Sequence, residues 1–187
     1  MKTKLLVVLV VLGVVSLFAG QANALTVNYS GNQGLSAQAD FSLVDPSTLQ
    51  IILTNTSVSP FAGGGADMVL SSINFDLGSV LITGGNVALN TGSSVVNRVP
   101  PGSAWQTASA GDLNDQWGYS NTGIGNSPSP FPDALHSVTA HSNGGTAATT
   151  FNGSSGVPGG LDFGLVAQGS TGFGIQKFIL DSIIITL

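Results

Sequence analysis

Between positions 36 and 43, Ala37, Ala39, Phe41 and Leu43 alternate with Ser36, Gln38, Asp40 and Ser42, a period of two that belongs to a strand with one wet face. Asp45-Pro46-Ser47 follows as a turn, with proline preset for its corner position. Leu49, Ile51 and Leu53 then alternate with Gln50 and Thr54, so the two runs predict a hairpin. The alternation resumes at Ile73, Phe75 and Leu77 and continues through 80–82, 87–89 and the Val95-Val96 pair. Thr83-Gly84-Gly85-Asn86 and Asn90-Thr91-Gly92 punctuate these runs as turns. Short strands spaced by turns in this way build sandwiches and jelly rolls.

The last ordered stretch is the most apolar. Leu161, Phe163 and Leu165 lead, by way of Phe173, to a run over 178–187 that carries Ile179, Ile183, Ile184, Ile185 and Leu187. Apolar residues on both parities predict a central strand covered on both faces. A strand of that kind with no polar tail is expected to belong to a longer protein, truncated here at its C-terminus. Elsewhere the signal is loop-like. Pro60 and Gly63-Gly64-Gly65 mark 58–67 as irregular, and a long irregular loop region is expected between Pro100 and Gly160, with 116–119 its one strand and 133–141 one short helix. Ser, Thr, Asn and Gly dominate the polar positions, and these residues disfavour helices. The expected fold is all-β, one antiparallel β-sandwich or jelly-roll-like domain over 25–187.

Residues 1–24 read as a signal peptide. Lys2 and Lys4 precede an apolar run over 5–19, and Ala22-Asn23-Ala24 supplies a small-x-small site with cleavage after Ala24. The apolar run falls short of the roughly 20 residues that span a bilayer as a helix. No Cys follows it, so a lipid-anchored N-terminus is not available. The expected location is therefore secreted or on the cell surface. Removing 24 of the 187 residues leaves 163, enough to bury a core without disulfides. That remainder holds nine Asp, no Glu, and only Arg98 and Lys177 as cations, a net charge of −7. Such a surface excludes nucleic acid as a partner, because phosphate binding needs clustered Lys and Arg.

Few residues carry chemistry. A serine triad has only His136 and His141 as candidate bases, and neither lies near a Gly-x-Ser-x-Gly elbow, which leaves a secreted hydrolase as a third-ranked reading. The two His are read as surface residues of a polar loop; five residues apart, they do not share a helix or strand face and predict no zinc site. Asp112-Leu113-Asn114-Asp115 resembles a calcium loop but departs from its spacing at Gln116 and Trp117, so no cofactor is expected and calcium is the one alternative. Trp105, Trp117 and Tyr119 are candidate sugar platforms, with Asp112 and Asn114 as polar contacts, against the competing reading that such aromatics are core residues.

Several segments taken in order resemble a known group. Ala37-Gln38-Ala39-Asp40-Phe41-Ser42-Leu43, Leu49-Gln50-Ile51-Ile52-Leu53-Thr54-Asn55-Thr56, Val69-Leu70-Ser71-Ser72-Ile73-Asn74-Phe75-Asp76, Trp117-Gly118-Tyr119, Leu161-Asp162-Phe163-Gly164-Leu165-Val166 and Phe178-Ile179-Leu180-Asp181-Ser182-Ile183 are similar to the bacterial exosortase-associated (PEP-CTERM type) surface proteins. The resemblance implies export by Gram-negative bacteria that make extracellular polysaccharide. It also implies a C-terminal Val-Pro-Glu-Pro signal, a membrane helix and a basic tail, none of which this chain carries, so membrane anchoring is expected only through a missing C-terminal segment. No catalytic residue is implied. The resulting expectation is a non-enzymatic surface or matrix protein linked to exopolysaccharide and biofilm, with a carbohydrate-binding module as the second reading.

Overall fold

In the Asp45-Pro46-Ser47 turn one carboxylate oxygen of Asp45 accepts from both the backbone N–H (2.8 Å) and the hydroxyl (2.9 Å) of Ser47. This closes the hairpin of β2 (Ser36–Asp45) and β3 (Thr48–Asn55), whose register slips once between Leu43 and Asp45. The computed structural model describes residues 24–31, 34–57, 69–97, 104–121, 136–140, 149–153, 163–167 and 177–187. The expected signal segment, apart from Ala24, lies outside them, as do 58–67, the proline-rich 127–132, His141 and Phe173.

The first sheet adds β1 (Leu25–Ser30) beside β2 and inserts β13 (Ser182–Thr186) between β3 and β5 (Asn86–Leu89), giving the order β1-β2-β3-β13-β5, antiparallel throughout. Its odd-numbered side chains point inward: Ala39, Ile51, Leu53, Val87, Ile183 and Ile185 are all buried. A second sheet, β10-β8-β9-β4, is made of β4 (Ser72–Phe75), β8 (Gly118–Ser120), β9 (His136–Thr139) and β10 (Thr149–Thr150). A third, β11-β12-β6-β7, is made of β6 (Ser94–Asn97), β7 (Gln106–Thr107), β11 (Leu165–Val166) and β12 (Phe178–Leu180), with β11 and β12 the one parallel pair among the described residues. The protein is all-β and its sheets do not close into a barrel.

One core joins the three sheets. Ile51, Leu53 and Ile183 meet Ile73 and Val138 of the second sheet and Val95, Leu165 and Ile179 of the third, with Trp117 and Leu113 among them. Phe41 meets Phe75 edge to face across the sandwich at 6.1 Å. On the far side of the third sheet Val96, Val166 and Phe178 form a smaller cluster with Trp105.

Four expectations need correction. The run 80–82 is not a strand: the chain between β4 and β5 is irregular there, with Val80 and Leu81 exposed. The segment 133–141 is not a helix where it is described: His136–Thr139 is a strand between β8 and β4, and its β-branched Val138 and Thr139 suit that place. The region 100–160 is not simply irregular, because β7, β8, β9 and β10 all come from it. The run 178–187 is two strands rather than one. Asp181 takes φ 84°, and there the chain leaves the third sheet as β12 and enters the first as β13. Asp is one of the few side chains that tolerate this left-handed conformation. The corner is held by backbone bonds from Asp181 to the Val166 carbonyl (2.9 Å) and from Asn55 to the Asp181 carbonyl (3.1 Å). Beyond the corner β13 is central as expected, though Ile184 on its outer face is half-buried rather than covered.

Candidate functional site

The five residues expected to bind a ligand do not converge. Trp117 is a core residue with no exposed surface, and its indole N–H donates to the Phe163 carbonyl at 3.2 Å. Its ring is therefore unavailable as a sugar platform, which corrects the expectation. Burial follows from its position after the 3-10 turn Leu113–Asp115, where its N–H bonds the Leu113 carbonyl at 3.0 Å and aims the side chain inward. Trp105 lies on the opposite side of the third sheet, tilted against Phe178 at 5.6 Å. Tyr119 packs on Phe151, also at 5.6 Å, and is partly buried against the main core.

Asp112 and Asn114 do come together, in a polar knot around the 3-10 turn. One Asp112 oxygen accepts from the backbone and side-chain N–H groups of Asn114, each at 2.9 Å, and the other accepts from the Asn152 amide at 3.0 Å. The same amide donates to Asp115 at 2.7 Å, and the Asn114 side-chain oxygen accepts from the Val87 N–H at 2.7 Å. The knot thus ties the turn to β5 and to the loop after β10. Hydrogen bonds from Asn152 and Asn114 hold the Asp112 carboxyl below the usual carboxylate range. Two carboxylates face a hard cation's preferred chemistry here, yet among the described residues no three His, Cys, Asp or Glu gather as a metal site.

A depressed folded-state pKa makes a contribution to stability that is present above the unfolded value and lost as pH falls through the folded one. The Asp112→Asn variant is therefore expected to unfold with a shallower pH dependence than the parent below about pH 4, the ordinary carboxylate range. Thermal melts of both proteins between neutral and acidic pH check this; identical slopes would remove the role given to the carboxylate.

His136 is not the surface residue expected. It is 1% exposed, stacked on Phe75 at 6.2 Å, and both ring nitrogens are engaged by backbone: Nε2 lies 2.6 Å from the Val80 carbonyl and Nδ1 accepts from the Leu77 N–H at 3.3 Å. One neutral tautomer satisfies both partners. The imidazole pins the irregular 77–80 segment to β9, and in this arrangement neither nitrogen is left to act as a base. His141, the other candidate, lies outside the described residues.

Two surfaces remain that sequence patterns alone did not single out. The first is the outer face of the five-stranded sheet. Register places Asn28, Gln38 and Thr54 in one row, which ends at the buried Ser182, and Ser42, Gln50, Thr186 and Asn86 in another. Between them runs Thr26, Asp40, Ile52, Ile184 and Ala88, so Asp40 is the one charge among these rows, and Thr26 and Gln38 both donate to it. Amides and hydroxyls that donate and accept at once, spread over a sheet, match the chemistry of a neutral polyol. The second is a cleft of about 190 Å³ beside β1, lined by Tyr29, Leu35, Ala37, Val69 and Leu70 and by the polar Ser36, Asn55 and Ser57. It continues over Ile73 and Asn74. Partial burial in this cleft pushes the Tyr29 phenol's pKa up.

Comparison with protein-family models, with curated proteins and with solved structures finds no match to this chain. Its role has to be read from its own residues.

Proposed function

We propose that the chain is an exported, non-enzymatic surface or matrix protein that contacts extracellular polysaccharide, of the exosortase-associated kind its strand segments resemble. The observation that carries this reading is the outer face of the five-stranded sheet, where Asn28, Gln38, Gln50, Thr54, Asn86 and Thr186 stand in register with a single carboxylate among them. The N-terminal Lys2, Lys4, apolar run and Ala22-Asn23-Ala24 support export, and β1 begins at the residue after the expected cleavage point. His136, its ring nitrogens taken by Val80 and Leu77, supports a non-catalytic role.

Neutral hydrogen bonds give net contributions of only about 0.5–1.5 kcal/mol each, so recognition of this kind depends on many weak contacts. Binding of the purified protein to the producing strain's exopolysaccharide is expected to persist in high salt, since counterion release plays no part. The triple variant Gln38→Ala, Gln50→Ala, Thr54→Val is expected to weaken it about tenfold or more, the sum of three such bonds. Binding that collapses with salt, or that ignores the triple variant, would count against the polar face. A deletion strain with unchanged biofilm and surface properties would remove the broader role.

A further inference from the structure

The first sheet is left unfinished at β1. Among the described residues β1 has a neighbour on one side only, β2. Its inward side chains, Leu25, Val27 and Tyr29, stand opposite Phe41, Ala39 and Ala37 and continue the apolar inner face. The covering layer does not reach them fully: Leu25 is 50% and Tyr29 44% exposed, while Ala39, Ile51 and Ile183 further along the same face are buried completely. Natural edge strands are commonly blunted by Lys, by Pro or by an inward-pointing charge. Leu25-Thr26-Val27-Asn28-Tyr29-Ser30 has none of these.

We propose that β1 is a homotypic docking edge, pairing antiparallel with β1 of a second copy about a two-fold axis through Val27. The register follows from the pleat. For the inner faces of two copies to stay on one side, odd residues must meet odd residues. Centring on Val27 sets Val27 against Val27 of the partner subunit, and Leu25 against Tyr29 of the partner subunit, twice over. All three apolar positions are then matched, in aliphatic and aromatic cross-strand pairs of the kind that stabilise sheets. The polar face matches too, with Thr26 opposite Asn28 of the partner subunit.

The strand's own self-complementarity is what selects a second copy over another partner. Charge permits it as well. The processed chain carries a net charge of −7, but β1 has no charged side chain, and Asp40 sits one strand back on the outer face. Cleavage after Ala24 leaves one α-amino charge on Leu25, and in this register the two amino groups stand four positions apart, about 13 Å. Two Asp40 carboxylates would be separated by three strand spacings, about 14 Å, beyond the Debye length of roughly 8–10 Å at moderate salt. Leu25 from the partner subunit would also fall over Tyr29 at the mouth of the cleft, extending the cover that Val69 and Leu70 begin. One strand pair buries less than the roughly 1,200 Å² of a standard stable interface, so the association is expected to be weak and concentration-dependent.

The absence of Cys makes the test clean. Protein recovered after expression of the full chain is expected to shift from monomer to dimer in sedimentation equilibrium as its concentration rises from micromolar towards millimolar. Val27→Lys sets two like charges face to face across the axis and is expected to weaken dimerisation about tenfold or more, with an unchanged circular dichroism spectrum. Single-cysteine variants read the register: a short bismaleimide is expected to couple Val27→Cys rapidly and Leu25→Cys hardly at all, because equivalent Leu25 residues lie four positions apart, about 13 Å. A wild-type protein that stays monomeric over the whole range overturns the proposal, as does a dimer that Val27→Lys leaves intact or that couples equally at both cysteines.

Discussion

Replacing Trp117 with alanine is expected to lower the unfolding free energy by about 3–5 kcal/mol, the range for removing a fully buried large aromatic. Domains of this size hold about 5–15 kcal/mol in all, so the variant should be marginal at best. The reason is its placement: the indole has no exposed surface and sits where all three sheets share a core. It also answers the Phe163 carbonyl at 3.2 Å, and Phe163 itself holds φ 61°, a rare conformation for a bulky residue. Trp117→Phe separates the two effects, keeping most of the apolar volume while leaving that carbonyl unpaired, at a cost of about 1–3 kcal/mol. Urea unfolding of the parent and both variants measures the series. If Trp117→Ala were as stable as the parent, the shared core described above would be wrong.

Asp181→Val is expected to be the second most damaging change, by about 2–3 kcal/mol, because a β-branched residue resists φ 84° and strained positions of this type cost about 1–3 kcal/mol. The lost carboxylate adds to this, since Asp181 accepts from the Ser182 hydroxyl at 3.1 Å. Asp181→Gly adopts the same backbone without a Cβ and should stay within about 1 kcal/mol of the parent. The comparison isolates backbone conformation from side-chain loss, as both variants delete the carboxylate. Equal destabilisation of the valine and glycine proteins in chemical denaturation would show that the corner is not held by this residue's geometry.

Much of the first sheet was legible because its strands carry one wet face. Ala37, Ala39 and Ile51, Leu53 alternate cleanly with polar neighbours, and a period of two says where such a strand points. The same signal exists in Leu25, Val27 and Tyr29, adjoining the expected signal peptide, and it marks β1. The second sheet was hidden for a physical reason. In β9 all four residues are buried, polar His136, Ser137 and Thr139 included, so polarity no longer reports exposure. The corner at Asp181 was hidden because only the pair Asp181-Ser182 interrupts the apolar run and one backbone angle marks it. For the candidate ligand residues, proximity in sequence does not make a common surface. Trp117 and Trp105 end on opposite sides of a sheet, whereas the link from Asp112 to Asn152 crosses 40 positions that no local pattern connects.

The insertion of β13 between β3 and β5 has a kinetic consequence. Gln50 finds its partner Thr186 136 positions later, and among the described residues β5 has no neighbour in its sheet until residues 183–186 arrive. Pairings of such long sequence separation are slow to form. During synthesis the β2–β3 hairpin can close early, whereas the middle of the sheet has to wait for β13, so the strand that arrives last is the one that locks the others together.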